Sequence, residues 1–530
     1  MRIYSLLCLA FLLVYNGFAQ TGIIQGRVIN DKNNEPLEFA TVQVQGTSLG
    51  ATTSIEGTFT IMGVQPGFHK IIVSMVGFDT KISEELQVLG NQTTFIDIMV
   101  SEASTTLKEV FVSPNLLLRP TESPVSVLTL GVHQIEKSAG ANRDVSKLVQ
   151  ILPGVGATAP NRNDLIIRGG GPTENVFYLD GIEIPVINHF ATQGASGGVV
   201  GIINPDFVRE ISFYTGAFPA NRPNTLSSVM EIKQKDGSRD RLHTKIAVGA
   251  SDAGITLDGP LGKDASFIVS FRQSYLQWLF KAIGLPFLPT YNDFQMKYKW
   301  RINPHHEITV IGIGAIDNMH LNRGLEQTGT EAQKYILGYL PEYSQWNYTF
   351  GLAYKHYGKH SIDSWILSRN MLRNAGVKYK DNDKSASKIS DYQSDEAEIK
   401  LRYERNYTTL PIKLNLGAGI KYSNYANDVY RLQFASGNVV PFQYHSSIDL
   451  LSYQAFVQAS DQYLNNRFKV SLGVNLVGNT FTASMSNPLK QLSPRLSLSY
   501  SFSEDFDLNA NIGRYAMPPS YTTMGYRNTE

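Results

Sequence analysis

Residues 164–185 read Asp-Leu-Ile-Ile-Arg-Gly-Gly-Gly-Pro-Thr-Glu-Asn-Val-Phe-Tyr-Leu-Asp-Gly-Ile-Glu-Ile-Pro. Residues 165–167 form a short apolar run typical of a strand, and Arg168 with the glycines after it ends that strand. A second extended run then reaches Asp180-Gly181, two residues that tolerate the positive φ angles of a tight hairpin turn. The sequence therefore predicts a strand–turn–strand unit with one fixed cation at its start.

The composition of the whole chain indicates a β protein of several domains. Its 530 residues exceed the length of one ordinary domain. A net charge of +1 provides no overall field that would attract nucleic acid. The mean hydropathy is −0.16, whereas 27 Tyr, 26 Phe and 44 Gly are high counts. Many aromatics and glycines with few long apolar runs favour β structure, including a membrane β-barrel.

Residues 1–19 have the pattern of a secretory signal peptide. Arg2 precedes an apolar core over residues 6–14, and small residues before Gln20 predict cleavage at that position. The single cysteine, Cys8, lies inside this leader. We therefore expect a mature protein with no thiol, no disulfide and no cysteine-ligated metal.

Residues 20–100 are predicted to form a small β-sandwich, because short alternating strands are separated by Gly and Pro turns. The module resembles the carboxypeptidase-regulatory-like domain, which implies an accessory, non-catalytic role. The matching positions are Gly26, Val28, Pro36, Leu37, Ala40, Val42, Gly46, Thr47, Gly57, Phe59, Gly77 and Phe78. Ser54 departs from the family, where Asp is commoner, and we expect it to soften one turn.

Residues 101–113 are a short linker that ends in an alternating segment. The segment closes with Glu109, Val110, Phe111, Val112 and Ser113. The alternation fits either another strand of the protein itself or an extended peptide that adds to the edge of a partner's sheet.

Residues 114–238 are predicted to form an α+β domain. Strands are expected at 125–130, 208–214 and 227–233, and helical spacing of apolar residues predicts a helix at 145–152. Asn188, His189 and Phe190 lie in a Gly- and Ser-bearing stretch, which we interpret as an exposed loop. The three are also candidate solute-binding residues.

Several motifs in this region are similar to the plug domain of TonB-dependent outer-membrane receptors. They are Leu152-Pro153-Gly154-Val155, Ile167-Arg168-Gly169-Gly170, Tyr178-Leu179-Asp180-Gly181 and Tyr214-x-Gly216-Ala217-Phe218-Pro219. The resemblance implies that residues 109–113 are the TonB box, the segment that pairs with periplasmic TonB. It also implies a plug motif of Arg168, Gly169, Gly170, Asp180 and Gly181. We expect Arg168 to pair with carboxylates of the plug or of the surrounding barrel.

Residues 239–530 show repeated two-residue alternation, which predicts one lipid-facing and one polar-facing side of a transmembrane β-barrel. Aromatics near strand ends, among them Tyr422 and Tyr425, suggest an interfacial girdle. The alternative is a large soluble sandwich or propeller, but no blade-length repeat is visible. Roughly a dozen strands are expected where plugged outer-membrane transporters have about 22, so we expect the chain to be the N-terminal part of a longer receptor.

The sequence contains no convincing catalytic or metal-binding constellation. His133 and Glu136 have the spacing of a metal pair, but no third ligand or general base supports them. Residues 169–171 are not a phosphate loop, because no Lys-Ser/Thr follows. We predict a protein that is not an enzyme and has no cofactor and no metal.

The combined prediction is a mainly β protein with an N-terminal β-sandwich, an α+β plug and an incomplete antiparallel transmembrane β-barrel. The resemblance implies energised uptake, at the outer membrane, of a siderophore-, cobalamin- or peptide-like solute. The expected partners are TonB with its inner-membrane energising complex, outer-membrane lipid and the small solute, without nucleic acid. The alternatives are a non-energised channel or adhesin, and a glycan importer that works with a surface lipoprotein.

Overall fold

The computed structural model describes residues 20–102, 121–123, 125–138, 140–141, 143–159, 162–195, 197–249, 251–435, 437–464, 467–503 and 506–526. The chain divides into two compact units between residues 111 and 112. Within the described ranges, no helix is both long and apolar enough to cross a membrane.

The first unit is the predicted β-sandwich. Its strands are β1 (Gly22–Asn30), β2 (Thr41–Val44), β3 (Gly50–Thr52), β4 (Thr58–Val64), β5 (Gly67–His69), β6 (Ile71–Ser74), β7 (Lys81–Ile82), β8 (Leu86–Val88) and β9 (Thr93–Val100). They form a sheet in the order β4-β1-β9, a sheet in the order β3-β2-β6-β7, and the pair β5-β8. Alternate side chains of these strands, such as Ile24, Val42 and Val73, are fully buried in one core, as two-residue periodicity requires.

The second unit begins with a small mixed domain, here called the plug. It contains β10 (Val127–Gly131), α1 (Val132–Lys137), α2 (Val145–Gln150), β11 (Val155–Gly156), β12 (Ile166–Ile167), β13 (Asn175–Leu179), β14 (Ile182–Ile184), β15 (Asn188–His189), β16 (Val200–Gly201), β17 (Val208–Tyr214) and β18 (Ser228–Gln234). Its five-stranded sheet has the order β10-β17-β18-β13-β14. Asp144 caps α2 by accepting hydrogen bonds from the backbone N–H groups of Ser146 and Lys147.

A 13-stranded antiparallel sheet, here called the wall, follows the plug. Its strands are β19 (His243–Val248), β20 (Asp252–Pro260), β21 (Ala265–Ser274), β22 (Phe287–Asn303), β23 (His306–Leu321), β24 (Glu342–Tyr357), β25 (Ser361–Tyr379), β26 (Lys388–Tyr407), β27 (Lys413–Ala435), β28 (Asn438–Tyr463), β29 (Phe468–Asn479), β30 (Leu492–Ser501) and β31 (Asp507–Gly513). Among the residues of this region that the structure describes, the α-helices are α3 (Leu276–Ala282), α4 (Leu325–Thr328), α5 (Glu331–Tyr339) and α6 (Tyr521–Gly525). The strands pair in chain order, with β19 and β31 at the two edges.

The two faces of the wall have opposite chemistry, as the alternation predicted. On β26, Lys400 and Arg402 are buried, whereas Ile399 and Leu401, which alternate with them, are exposed. The predicted girdle position of Tyr425 is wrong. Tyr425 shares its face with the buried Ser423 and packs among Ile448, Leu450 and Met524, because side chains two residues apart point to the same side of a strand.

The wall has a long-loop end and a short-turn end. Connections 275–286, 322–341 and 480–491 lie at the first end, and turns 261–264, 304–305 and 358–360 at the second. The plug core continues into the inner face of the wall, where Ile311, Ile313 and Leu372 join its buried cluster. The plug is thus held against the polar face of the sheet, with its upper loops near the long-loop end.

Candidate functional site

The hairpin predicted at Asp180-Gly181 is present and carries two contacts to the wall. Asp180 has φ 49° and Gly181 φ 81°, and β13 pairs with β14 through Leu179 and Ile182, so the turn is a tight two-residue loop. The Asp180 carboxylate lies 3.1 Å from Lys297 Nζ. Arg402 Nη2 donates to Gly181 O at 2.5 Å. The turn therefore serves as an attachment point of the plug.

Arg168 does not have the environment expected for it. Its φ is 51° and its side chain is exposed, and among the described carboxylates none is recorded in an ion pair with its guanidinium. The left-handed backbone at the end of β12 turns this side chain outward. The neighbouring Gly170 is tightly packed: a Cβ there would lie 1.7 Å from Ser227 Oγ.

The interpretation of Asn188, His189 and Phe190 as an exposed loop is wrong for the first two residues. Asn188 and His189 form β15 and have 0% exposure. The polar side chain of Asn188 is buried because it accepts hydrogen bonds from Ser146 Oγ at 3.0 Å and Asn163 Nδ2 at 2.9 Å. Phe190, at φ 55°, is half-buried and borders a large cavity.

His189 lies between two aspartates of the wall, and we call His189, Asp293 and Asp317 the His189 triad. Its Nδ1 is 2.7 Å from Asp317 Oδ1 and its Nε2 is 3.1 Å from Asp293 Oδ2. All three side chains have 0% exposure. The ring of Tyr291 stacks on the imidazole at 4.1 Å between centroids. One plug side chain is thereby bound to both β22 and β23.

The charge of the triad follows from its geometry. Burial alone would lower the pKa of His189, but the charge of Asp317 and the hydrogen bonds to both aspartates raise it to about 9. At neutral pH the ring is therefore an imidazolium that donates from both nitrogens. Arg272 adds a second cation, with its Nη2 2.9 Å from Asp293 Oδ2.

Backbone contacts next to the triad extend this attachment. The second oxygen of Asp317 accepts from the Phe190 N–H at 2.8 Å. Gln345 brackets Ala191, accepting from its N–H at 3.0 Å and donating to its carbonyl at 2.6 Å. Three consecutive plug residues are therefore fixed to wall strands β22, β23 and β24.

A second attachment lies at residues 218–222 and is here called the Ala220 clamp. Gln458 Oε1 accepts from the Ala220 N–H at 2.8 Å, and Asn475 Nδ2 donates to its carbonyl at 2.6 Å. Arg495 Nη1 donates to the carbonyls of Phe218, Pro219 and Arg222 at 3.0, 2.5 and 3.0 Å. To these three wall side chains the plug offers backbone groups, and beside them the side chain of Asn221 donates to Glu404 Oε2 at 3.4 Å.

A cavity of about 1170 Å³ lies above the His189 triad at the long-loop end. Plug residues, including Phe190 and the basic Arg143, Lys147 and Arg162, form one side. The facing side combines polar residues, such as Asn374 and Asn427, with an apolar and aromatic set: Leu276, Phe280, Leu285, Phe287, Met319, Tyr343 and Tyr392. Asp317 and Arg272 also border the cavity, so the triad and the cavity share a boundary.

The basic side chains at the cavity are oriented by contacts inside the plug. Arg143 bonds to Glu136 at 2.8 Å and to Asp206, which accounts for the Glu136 of the rejected metal pair. Arg162 Nε lies 2.6 Å from Asp164 Oδ2. Within the described ranges, no group of three or more His, Cys, Asp or Glu side chains is arranged to hold a metal ion. The predicted TonB box, residues 109–113, lies outside the described residues.

Three family models match successive parts of the chain. A CarboxypepD_reg-like domain covers residues 24–112, a TonB-dependent Receptor Plug Domain residues 119–224, and a TonB dependent receptor-like β-barrel residues 285–529. The chain belongs to the TonB-dependent receptors. No curated protein sequence matches the receptor significantly. The predicted fold class, with β-sandwich, plug and barrel, is confirmed by these matches.

Solved structures with the same fold include siderophore receptors. The siderophore receptor PirA from Acinetobacter baumannii has a TM-score of 0.55 at 15% identity, with 75% of this chain and 62% of that chain covered. A mutant ferric enterobactin receptor (PfeA) from Pseudomonas aeruginosa in complex with enterobactin has 0.54 at 17%, with 74% and 63% covered. The Pseudomonas aeruginosa ferripyoverdine receptor has 0.57 at 12%, with 83% and 66% covered. The chain thus spans less than two thirds of the length of each.

Sequence reasoning missed the wall partners of the plug. On β22, the polar residues Asp293, Gln295 and Lys297 alternate with Phe294 and Met296. The two-residue alternation of a strand alone could therefore have placed the polar residues on the inner face of the wall. Their plug partners, His189 for Asp293, Asn204 for Gln295 and Asp180 for Lys297, could not be found in this way. They depend on how the plug is seated.

Proposed function

We propose that this receptor takes up a scarce solute of the ferric-siderophore class across the outer membrane, with energy delivered through TonB. The observation that carries the proposal is the cavity of about 1170 Å³, because the plug forms one of its sides and the wall the other. A solute bound there contacts both parts. Movement of the plug would then change the site that holds the solute.

The chemistry of the cavity supports a compact solute with both aromatic and anionic groups. Its volume exceeds the roughly 300–1,000 Å³ of pockets for drug-sized ligands. Phe280, Phe287 and Tyr392 offer apolar ring surfaces, and Arg143 and Arg162 offer guanidinium groups opposite them. Ferric complexes of catecholate type combine aromatic rings with negative charge. The solved structures of similar fold are named as siderophore receptors, which favours the same class.

Energised release requires the plug to be displaced from the wall. A TonB strand added to residues 109–113 would apply force at the N-terminal side of the plug. The contacts that resist this force include those of the His189 triad, of Gln345 with Ala191, of the Asp180-Gly181 turn and of the Ala220 clamp. Displacement is feasible when such contacts, rather than the whole fold, set the free energy of local opening.

Deletion of residues 109–113 tests the proposal. The deletion is made in the gene as it stands in its organism, and uptake of siderophores loaded with radioactive iron is measured. The matched control removes five residues of the preceding linker, 103–107, which shortens the chain equally. We expect uptake to be abolished by the first deletion and retained with the second.

The same experiment separates the alternatives. Uptake that survives the deletion of residues 109–113 would mean a non-energised channel. A strain whose iron uptake is unaffected by loss of the whole gene, but which no longer grows on a glycan, would indicate a glycan importer with a surface lipoprotein. Loss of cobalamin or peptide uptake alone would assign the solute to one of those classes.

A further inference from the structure

The His189 triad couples a buried titratable side chain of the plug to two carboxylates of the wall. The ring has 0% exposure and each of its nitrogens faces a different carboxylate. A neutral imidazole has one N–H donor, so it could satisfy only one of the two aspartates and would turn a lone pair towards the other. The arrangement therefore requires the doubly protonated ring.

The groups around the triad leave this requirement unchanged. From β21, Arg272 donates to Asp293 through Nε at 3.0 Å and to the plug carbonyl of Ile202 at 2.7 Å. From β22, Tyr291 stacks on the ring, and its hydroxyl donates to Asp252 of β20 at 2.5 Å. One arginine and three aspartates thus surround His189, so protonation of the ring reduces the excess of negative charge around it.

Displacement of the plug removes His189 from both carboxylates. Asp293 keeps its bond to Arg272, and Asp317 is left at the edge of the cavity, where water can solvate it. The imidazole then meets water, in which an ordinary histidine is mostly neutral at pH 7 and above. The proton held in the seated state passes to solvent, and no other group needs to accept it.

We propose that displacement of the plug releases one proton from His189, so that the His189 triad is a latch whose hold on the plug weakens as pH rises. The proposal rests on the proposed function in one respect, namely that the plug moves against the wall. The latch lies directly under the cavity, since Asp317 both borders the cavity and binds the ring. A solute that draws on Asp317 or Arg272 would loosen the same contact.

The direction of the pH effect follows from linkage. The pKa of His189 is raised from its ordinary value to about 9 in the seated plug. The stabilisation is therefore complete below pH 6.5 and is lost as pH rises through about 9. Between these values, the equilibrium constant for opening should rise about tenfold for each pH unit.

Hydrogen exchange on the full chain in detergent tests the latch without any transport. Amide exchange of peptides covering residues 186–203 is measured from pH 6 to pH 10 and divided by the intrinsic rate at each pH. We expect the corrected opening constant of the wild type to rise about tenfold per pH unit between about pH 6.5 and pH 9. In His189→Asn the rise should vanish, because an amide does not titrate, whereas the control His445→Asn should keep it. His445 has a comparable aspartate partner, Asp428, at 2.6 Å, but it is exposed.

Two further measurements cover the case in which His189→Asn does not fold. Asp317→Asn keeps the size of the side chain but removes its charge. The pH range over which the opening constant rises should therefore end below pH 9. In wild-type protein with isotope-labelled histidine, one ring resonance among the 10 histidines should titrate near pH 9. A flat exchange profile in folded wild type, a slope that persists in His189→Asn, or ten ordinary titrations would overturn the latch.

Uptake measurements keep the two proposals separate. A proton-linked profile with no uptake of any solute would leave the latch standing and overturn the proposed function. Uptake that depends on residues 109–113, together with a flat exchange profile, would support the proposed function and overturn the latch.

Discussion

Two of the attachments between the plug and the wall differ in their chemistry. At the His189 triad, a charged plug side chain lies between two buried carboxylates. At the Ala220 clamp, the plug offers only backbone N–H and carbonyl groups to Gln458, Asn475 and Arg495. The wall thus holds one region of the plug through a charged side chain and the other through hydrogen bonds to its backbone.

This difference determines which attachment can respond to conditions. From pH 6 to pH 9, Gln and Asn do not titrate and Arg stays protonated, so we expect the clamp to hold equally over that range. The triad depends on one proton. We therefore expect opening at the triad to depend on pH and opening at the clamp not to.

Asp317→Ala should have the largest effect and should act on the triad alone. The change leaves the buried His189 with one carboxylate and the Phe190 N–H without its acceptor, and breaking a buried ion pair costs about 3–5 kcal/mol. We expect the free energy of opening at residues 186–203 to fall by about that amount, measured by hydrogen exchange at pH 7.

The clamp provides the internal control for Asp317→Ala. Exchange at residues 216–224 should stay within about 0.5 kcal/mol of wild type, because distant sites are nearly additive. Equal loss of protection at both places would mean that the plug opens as a single unit, and the distinction between triad and clamp would fail.

Arg495→Met should weaken the clamp and leave the triad intact, with a somewhat smaller loss of free energy than Asp317→Ala. It leaves the carbonyls of Phe218, Pro219 and Arg222 without their shared donor, and buried groups that lose a partner cost about 1–3 kcal/mol. We expect about 2–3 kcal/mol less protection at residues 216–224, with the same value at pH 6 and pH 9. Arg495→Lys, which keeps the charge but not the fork of donors, should recover only part of it. A pH-dependent loss would contradict the proposed difference.

Features set by neighbouring residues could be predicted from the sequence, whereas contacts between distant residues could not. The Asp180-Gly181 turn was predictable because positive φ is a property of two adjacent residues. The opposite faces of Ile399 and Leu401 on one side and Lys400 and Arg402 on the other were predictable, because successive side chains of a strand point to opposite sides. The partners of His189 are 104 and 128 residues away, and no local pattern specifies which wall residues a plug loop will meet.

The wrong interpretations have the same origin. Asn188 and His189 lie in a polar, Gly-containing stretch, which usually means an exposed loop, but their polar atoms are buried because the wall and the plug core supply partners. Arg168 was expected to find a carboxylate, and its left-handed backbone directs it outward instead. Burial of polar side chains is decided by the surroundings, which the sequence alone does not display.

Raising the pH from 7 to 8 should separate the two attachments in a single wild-type sample. A raised folded-state pKa means that stability is lost with rising pH, by about 1.4 kcal/mol per unit inside the window. We expect that loss at residues 186–203 and none at residues 216–224, both read from the same hydrogen-exchange experiment. A parallel loss at both sites would point to a general effect of pH on the plug and against a specific one on the triad.

Phe190→Ala should have the smallest effect and shows which attachment senses the solute. Phe190 extends from the triad to the edge of the cavity, whereas none of the clamp residues Ala220, Gln458 or Asn475 lines it. Losing part of a ring's apolar contact costs about 1 kcal/mol, so the affinity for a ferric siderophore should fall about fivefold by calorimetry. The matched change at the clamp, Phe218→Ala, removes a more deeply buried ring but should leave the affinity unchanged. If Phe218→Ala weakened binding as much as Phe190→Ala, the loss of affinity would reflect lower stability of the whole plug. It would then not show that the solute contacts the plug beside the His189 triad.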